Sequence, residues 1–398
     1  MPLAVIAGLF LASLALRPQL LAIGPLLPLI RDDLGLPASV AGLLTTIPVL
    51  CMGIFAPIGP RVAARLGPTT AFAVCLALVI AFGLLRALAP SLPLLLLTTF
   101  GVGVGVGIAG AIPSMVVAQR MPSRPALGTG AYAAGIVAGS TFGAGVAVPL
   151  AVDGAWRQSL AVLSIVAIGS LVAWLLLVRG DGSAGIDARR LAARAPRLPW
   201  RSTTGWLLVV VFGLQSLLYY GCISWLPNAF VERGWTVADA GALIAAFNGI
   251  GLATTIGVPL VADRLGARRP QLVGAAVVTT LGLLGVTFVP DLAWGWVAIL
   301  GLSLGMIFPL VLTLPIDVAD DPSTVGSVAA LMLMGGYVLS SIGPVVMGAA
   351  RDASGSFDSS LWLLVVLGVV LTLSCLTLSP ARLRRGVGRI ATPGASGA

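Results

Sequence analysis

The sequence predicts an all-α membrane protein in which twelve transmembrane helices form two pseudo-symmetric six-helix bundles. Three observations carry this: a composition too apolar for water, twelve apolar stretches of spanning length, and a repeat relating the halves. Of 398 residues, 58% are hydrophobic and 9% charged, against about 25% charged in an average soluble domain. Such a chain needs lipid as its solvent. The 50 glycines suit close packing of helices in a bilayer.

A spanning helix needs about 20 mainly apolar residues, and twelve stretches bounded by Pro, Gly and charge supply them. Span 1 (about 3–29) lacks the basic start of a signal peptide, and eleven more spans follow it. Spans 2 and 3 cover about 38–58 and 69–89, with a short basic loop between them. Span 4 (92–117) carries Gly101, Gly103, Gly105, Gly107 and Gly110. This run is a helix-packing surface, since no soluble strand precedes it and no Lys accompanies it. Span 5 (126–150) has Gly135, Gly139 and Gly143 at a spacing of four, a small-residue packing or hinge face. Span 6 (157–178) closes the first half. Spans 7 to 12 follow at about 203–229, 237–258, 270–290, 292–316, 323–349 and 359–379.

Basic residues orient the spans. The 23 basic residues are all Arg. With both termini inside, 17 Arg fall on inner loops and the tail, and five (Arg31, Arg86, Arg157, Arg233, Arg351) on outer loops or helix ends. This points to a bacterial cytoplasmic (inner) membrane protein with cytoplasmic termini. Residues 179–202 are polar and Arg-rich. They read as a cytoplasmic linker between a bundle at 1–178 and a bundle at 203–380, with a basic tail at 381–398.

A shift of 199 residues aligns Leu27–Gly67 on Leu226–Gly266 without gaps, with 12 of 41 positions identical. Pro28/Pro227, Gly35/Gly234, Gly42/Gly241 and Pro60/Pro259 are among them. A parallel repeat of this kind belongs to a two-half transporter with its substrate site between the halves.

The second copy runs from Pro259 through Asp263, Arg264, Gly266 and Arg268 to Arg269. It resembles the helix 2–3 signature loop of the major facilitator superfamily. The first copy keeps Arg65 and Gly67 but has Ala64 in the acid's place. The resemblance implies that Arg65, Gly67, Asp263, Arg264, Gly266 and Arg268 form gating and bracing loops. Leu16-Arg17-Pro18 with Gly24-Pro25 on span 1, Gln215-Ser216 and Tyr219-Tyr220 on span 7, and Gly301, Gly305 and Phe308-Pro309 on span 10 narrow it. Together these resemble the cyanate permease-like branch, which also contains a 2-nitroimidazole exporter.

Arg17 lies near the middle of span 1, where a charge costs about 2.5–3.5 kcal/mol on insertion scales. The 14 acidic residues all fall in loops or near helix ends, so no carboxylate matches its depth. Arg17 therefore either binds an anionic or strongly polar substrate with its planar fork of donors, or is satisfied by carbonyls and water. Pro18 either starts a second half-helix or makes an ordinary kink. Gln215, Ser216 and Tyr219 on span 7 and Asn248 on span 8 sit at similar depth, with Tyr132 on span 5 and Tyr337 on span 11 as further candidates for substrate contact. Each of these could instead hold helices together.

The resulting expectation is a secondary active transporter moving a small anionic or polar solute, cyanate-like or a related organic anion, by alternating access. The alternative is a proton-coupled drug or nitroimidazole-type efflux pump, which usually needs a membrane-embedded carboxylate and here has none. Protons remain a candidate coupling ion, carried with a weak-acid substrate. A monomer in the lipid bilayer is expected, with no cofactor, no metal and no nucleic-acid partner. The chain has no His, and no nucleophile–base pair suggests an enzyme. Cys51, Cys75, Cys222 and Cys375 each lie in an apolar stretch and read as reduced packing residues.

Overall fold

The computed structural model describes residues 2–121, 123–178, 198–262, 268–318 and 322–378. Most of the expected linker and all of the expected tail lie outside the described residues.

Twelve helices among the described residues are long and apolar enough to cross a membrane. Spans 1 to 6 are Leu3–Leu34, Ala38–Leu66, Pro68–Ala87, Leu92–Arg120, Leu127–Ala147 and Trp156–Leu177. Spans 7 to 12 are Thr203–Glu232, Val237–Thr255, Arg268–Phe288, Pro290–Ile316, Thr324–Ser354 and Asp358–Leu376. Every expected span is present.

Helix pairing repeats with an offset of six. Span 1 packs on spans 5 and 6, as span 7 packs on spans 11 and 12. Spans 2, 3 and 4 pack among themselves as 8, 9 and 10 do, through the pairs 2–4 and 3–4 against 8–10 and 9–10. The halves meet along two equivalent seams, span 2 against span 11 and span 5 against span 8. Two repeated glycines mark them. A Cβ on Gly42 would lie 2.6 Å from the Pro344 carbonyl oxygen, and one on Gly241 would lie 2.7 Å from Val148 Cγ2. A second repeated pair ends helices: Gly35 and Gly234 close spans 1 and 7 at φ 59° and 91°, where a side chain would be strained.

Span 1 is broken and span 7 is continuous. Span 1 consists of helices Pro2–Ala15, Pro18–Leu21 and Ile23–Leu34. Pro18 lacks the N–H that would bond the Leu14 carbonyl, which takes a long 3.4 Å bond from Arg17 N–H instead. Pro25 likewise leaves Leu21 without its partner, and the helix breaks again at Ala22. The N–H groups of Leu20 and Leu21 both return to the Arg17 carbonyl at 3.0 Å. Pro18 thus heads a separate helical stretch at a kink, and the Leu20 and Leu21 amides are taken up within it. Span 7 runs unbroken through Thr203–Glu232, with Ser202 Oγ accepting the Gly205 N–H at its start.

The glycine stripe of span 5 packs on span 1. Cβ atoms on Gly135, Gly139 and Gly143 would lie 2.3 Å from Phe10 O, 2.1 Å from Leu14 O and 2.5 Å from Pro18 Cα. The glycines of span 4 face Phe82, Pro48, Val79 and the Cys51 carbonyl, so that run is a packing surface on two sides. All four cysteines are buried and free.

At the end carrying the 1–2, 7–8 and 11–12 connections, the halves are tied by polar contacts. Asp352 accepts the backbone N–H groups of Ala38 and Ser39 at 2.9 and 2.8 Å, at the start of span 2. Arg31 donates to Asn228 Oδ1 at 3.1 Å, and Arg31 and Arg351 both lie over the Phe357 ring.

Candidate functional site

A cavity of about 90 Å³ lies between the halves. Spans 1, 5, 7, 8, 10 and 11 line it. The first half contributes Arg17 on span 1 and Ile136, Val137 and Ser140 on span 5. The second half supplies most of the wall.

Arg17 stands at the kink of span 1 and is half-buried. The break frees its stem from a regular helical path, and the guanidinium meets a group of tyrosines from the other half. Its Nη1 reaches the Tyr220 hydroxyl at 3.5 Å, the outer limit of a hydrogen bond. Tyr219 and Tyr337 complete the aromatic wall around it. Arg17 forms no ion pair among the described residues, and no Asp or Glu lines the cavity.

Span 7 brings Gln215, Ser216, Tyr219 and Tyr220 to the cavity. The Tyr219 hydroxyl donates to Asn248 Oδ1 at 2.8 Å, and Asn248 Nδ2 donates to the Ile244 carbonyl at 3.0 Å. Ser216 Oγ donates to Gln215 Oε1 at 3.2 Å. Edge-to-face packing of Tyr337 on Phe212, with ring centroids 5.1 Å apart, fixes the wall contributed by span 11. Phe308 of span 10 lines the cavity and also packs near Phe212.

Six of the seven expected contact residues therefore converge: Arg17, Gln215, Ser216, Tyr219, Asn248 and Tyr337. Tyr132 does not line the cavity. It lies one helical turn before Ile136, packed against the core. Tyr220, Ser140 and Thr255 also line it and were not among the expected residues. Helical spacing carries the signal for Thr255, which lies seven residues after Asn248 on one helix face. Arg86 stands in the last turn of span 3, at a helix end as expected, but its side chain is wholly buried inside the first half, 0% exposed.

Of the expected gating loops, Asp263, Arg264 and Gly266 lie outside the described residues. Arg65 is exposed, and Gly67 turns the chain into span 3 at φ 80°. Arg268 Nη1 reaches the Thr313 carbonyl of span 10 at 3.4 Å.

The sequence profile of the Major Facilitator Superfamily matches residues 5–344. The chain is 32% identical over 368 residues to the cyanate transport protein CynX of Escherichia coli (strain K12), covering 91% of this chain and 94% of that one. It is 29% identical over 369 residues to the 2-nitroimidazole transporter of the same organism, covering 92% and 93%. Its fold matches that of a bacterial homologue of the human lysosomal transporter Spinster, solved inward-facing and occupied, with a TM-score of 0.77 over 95% of this chain and 96% of that one, at 15% identity.

Proposed function

The chain belongs to the Major Facilitator Superfamily, and from that premise we propose that it is a secondary active carrier moving a small anion or strongly polar solute by alternating access. It is a multi-pass membrane transporter, not an enzyme. The observation that carries the substrate class is Arg17: a guanidinium open to the inter-half cavity, with no carboxylate beside it among the described residues. A cation in a low-dielectric site lacks its counter-charge until an anion arrives. The planar fork of Arg suits carboxylate-like or linear anions, and Tyr220, Tyr337 and Gln215 offer further donors.

Support for cyanate as a first probe comes from the relative named for it. The second reading, a neutral nitroimidazole-like solute, draws on the second relative and on the aromatic wall of Tyr219, Tyr220, Phe247, Phe308 and Tyr337. On either reading, halves 1–178 and 203–380 rock about the cavity. The Arg distribution supports a bacterial cytoplasmic membrane location with both termini inside. The bracing role of the loop around Asp263 and Arg264 is proposed from the resemblance, and the reach of Arg268 to span 10 supports it. A monomer is the functional unit of this reading, supported by a cavity wall that one chain can supply.

The test is thermal shift and proteoliposome uptake with cyanate and with 2-nitroimidazole on wild type, Arg17→Lys and Arg17→Gln. At cyanate about 100-fold above Kd, mass action stabilises the wild type by about 2.7 kcal/mol. Arg17→Gln abolishes the shift and the uptake, while Arg17→Lys retains a part. Wild-type uptake in both variants at normal expression sinks the anchor reading. Stabilisation by 2-nitroimidazole alone selects the second reading. Protons travel only with a weak-acid substrate, so proton flux in the absence of substrate would count against that coupling.

A further inference from the structure

We propose that Arg86 is a positioning residue: it holds the broken stretch of span 1 and so aims Arg17 into the cavity. This rests on the reading of Arg17 as the substrate's anchor. Arg86 is wholly buried on span 3 and makes no ion pair among the described residues. A buried cation without a partner charge is destabilising, and an apolar side chain of similar volume would fill the space at less cost. Its contacts give the reason for a charge there. Arg86 Nη2 donates both to the backbone carbonyl of Gln19 and to Gln19 Oε1.

The Gln19 carbonyl is one that the broken helix leaves without a backbone donor. An uninterrupted helix would bond it to the N–H of Ile23, but the helix stops at Leu21 and resumes at Ile23, and no backbone N–H reaches Gln19 O. A strong charged donor thus replaces the bond lost at the break. The Gln19 side chain extends the bracket, donating from Nε2 to the Leu160 carbonyl at 3.0 Å and to Ser164 Oγ at 2.7 Å on span 6. Space for it exists because residue 83 is glycine: a Cβ there would lie 3.0 Å from Gln19 Cδ and 2.6 Å from Ser164 Oγ.

The opposite side of the break is pinned by packing. Gly143 lies against Pro18 so closely that a Cβ would come within 2.5 Å of Pro18 Cα. The four-residue stretch Pro18–Leu21 is therefore held by span 5 on one side and by Arg86 with span 6 on the other. Arg17 is the residue directly before that stretch, at its N-cap position, so its direction follows the bracket.

The experiment compares wild type, Arg86→Lys, Arg86→Gln and Arg86→Leu, each alone and with Arg17→Lys, as purified full chains. Two quantities are read: hydrogen exchange of amides in residues 19–24, and the apparent affinity for cyanate. In Arg86→Gln and Arg86→Leu, exchange in that stretch rises about tenfold as local opening becomes easier, and cyanate binding weakens about tenfold. Arg86→Lys restores most of both, because one ammonium can donate to the two Gln19 oxygens. With Arg17→Lys already present, which keeps part of the cyanate binding, Arg86→Gln and Arg86→Leu weaken that binding by clearly less than about tenfold, whereas a merely structural loss would weaken it equally in both backgrounds. If Arg86→Leu fails to fold, Arg86→Gln and Gln19→Leu decide the matter by the same readouts. Unchanged exchange in the folded variants overturns the proposal, as does an equal loss of affinity in the Arg17→Lys background. If wild type ignores cyanate while exchange rises in Arg86→Gln, the bracket stands and the substrate reading alone fails.

Discussion

Arg17 faces three tyrosines from the other half of the molecule, and its hydrogen bond to Tyr220 is weak at 3.5 Å. A guanidinium carrying five donors with so few acceptors around it is poorly satisfied by protein alone. The Tyr220→Phe variant should therefore fold normally and lose about fivefold in affinity for the anion, the equivalent of one modest hydrogen bond of about 1 kcal/mol; isothermal titration in detergent measures it. Tyr219→Phe has a different signature. It removes the 2.8 Å bond to Asn248 Oδ1 and leaves that buried oxygen unpaired, so the melting temperature should fall by a few degrees even without ligand. Equal melting temperatures for the two variants would contradict this assignment. Arg17 was legible in the sequence because a charge inside an apolar run stands out. Tyr132 misled because depth along a helix can be counted from sequence while the direction a side chain takes cannot. Arg86 was hidden by its place near a helix end, where an Arg usually reaches water; only the neighbouring helices reveal that it turns inward.

Among the elements, the most constrained is span 1, kinked by its own prolines and gripped by glycines of span 5. Gly139→Ala would drive a Cβ to within 2.1 Å of the Leu14 carbonyl oxygen, which backbone cannot yield to cheaply. That variant should lower the yield of monodisperse protein in fluorescence-detected gel filtration. Gly169→Ala on span 6 meets nothing within 4 Å and should be neutral or stabilising by up to about 1 kcal/mol from helix propensity. If both variants behave alike, close packing of spans 1 and 5 is not what the stripe provides. The spacing of four in Gly135, Gly139 and Gly143 announced a packing face from sequence alone, whereas its partner helix depended on which spans lie side by side. The twelve spans themselves were legible because lipid imposes length and apolarity on each one independently. The second break, at Ala22, was not, since it needs Pro25 to remove a partner four residues upstream.

On the scale of the whole molecule, the halves are tied at the end carrying Arg31, Asn228 and Asp352. Asp352 there caps the first turn of a helix belonging to the other half, a favourable place for a carboxylate beside unpaired N–H groups. Asp352→Ala should loosen this end by about 1 kcal/mol, the usual worth of a lost cap. Spin labels at the exposed positions 32 and 353, with the native cysteines replaced, should then show a longer mean distance by double electron–electron resonance; an unchanged distribution would mean that the cap does not hold the halves. The repeat between Leu27–Gly67 and Leu226–Gly266 disclosed the two-half plan because duplicated glycines still serve the same corners and seams. It did not disclose how unevenly the cavity is built, since the second half supplies most of the wall and the first supplies the cation. That unevenness has an electrical consequence. Where a monovalent anion binds at Arg17 without a proton, the loaded site changes access with the pair neutralised and the empty site returns with one positive charge, and each charge moved through the full field is worth about 2.3 kcal/mol per 100 mV. The voltage-sensitive step of the cycle would then be the empty return rather than the loaded passage, so exchange of anion for anion should ignore membrane potential while net uptake responds to it.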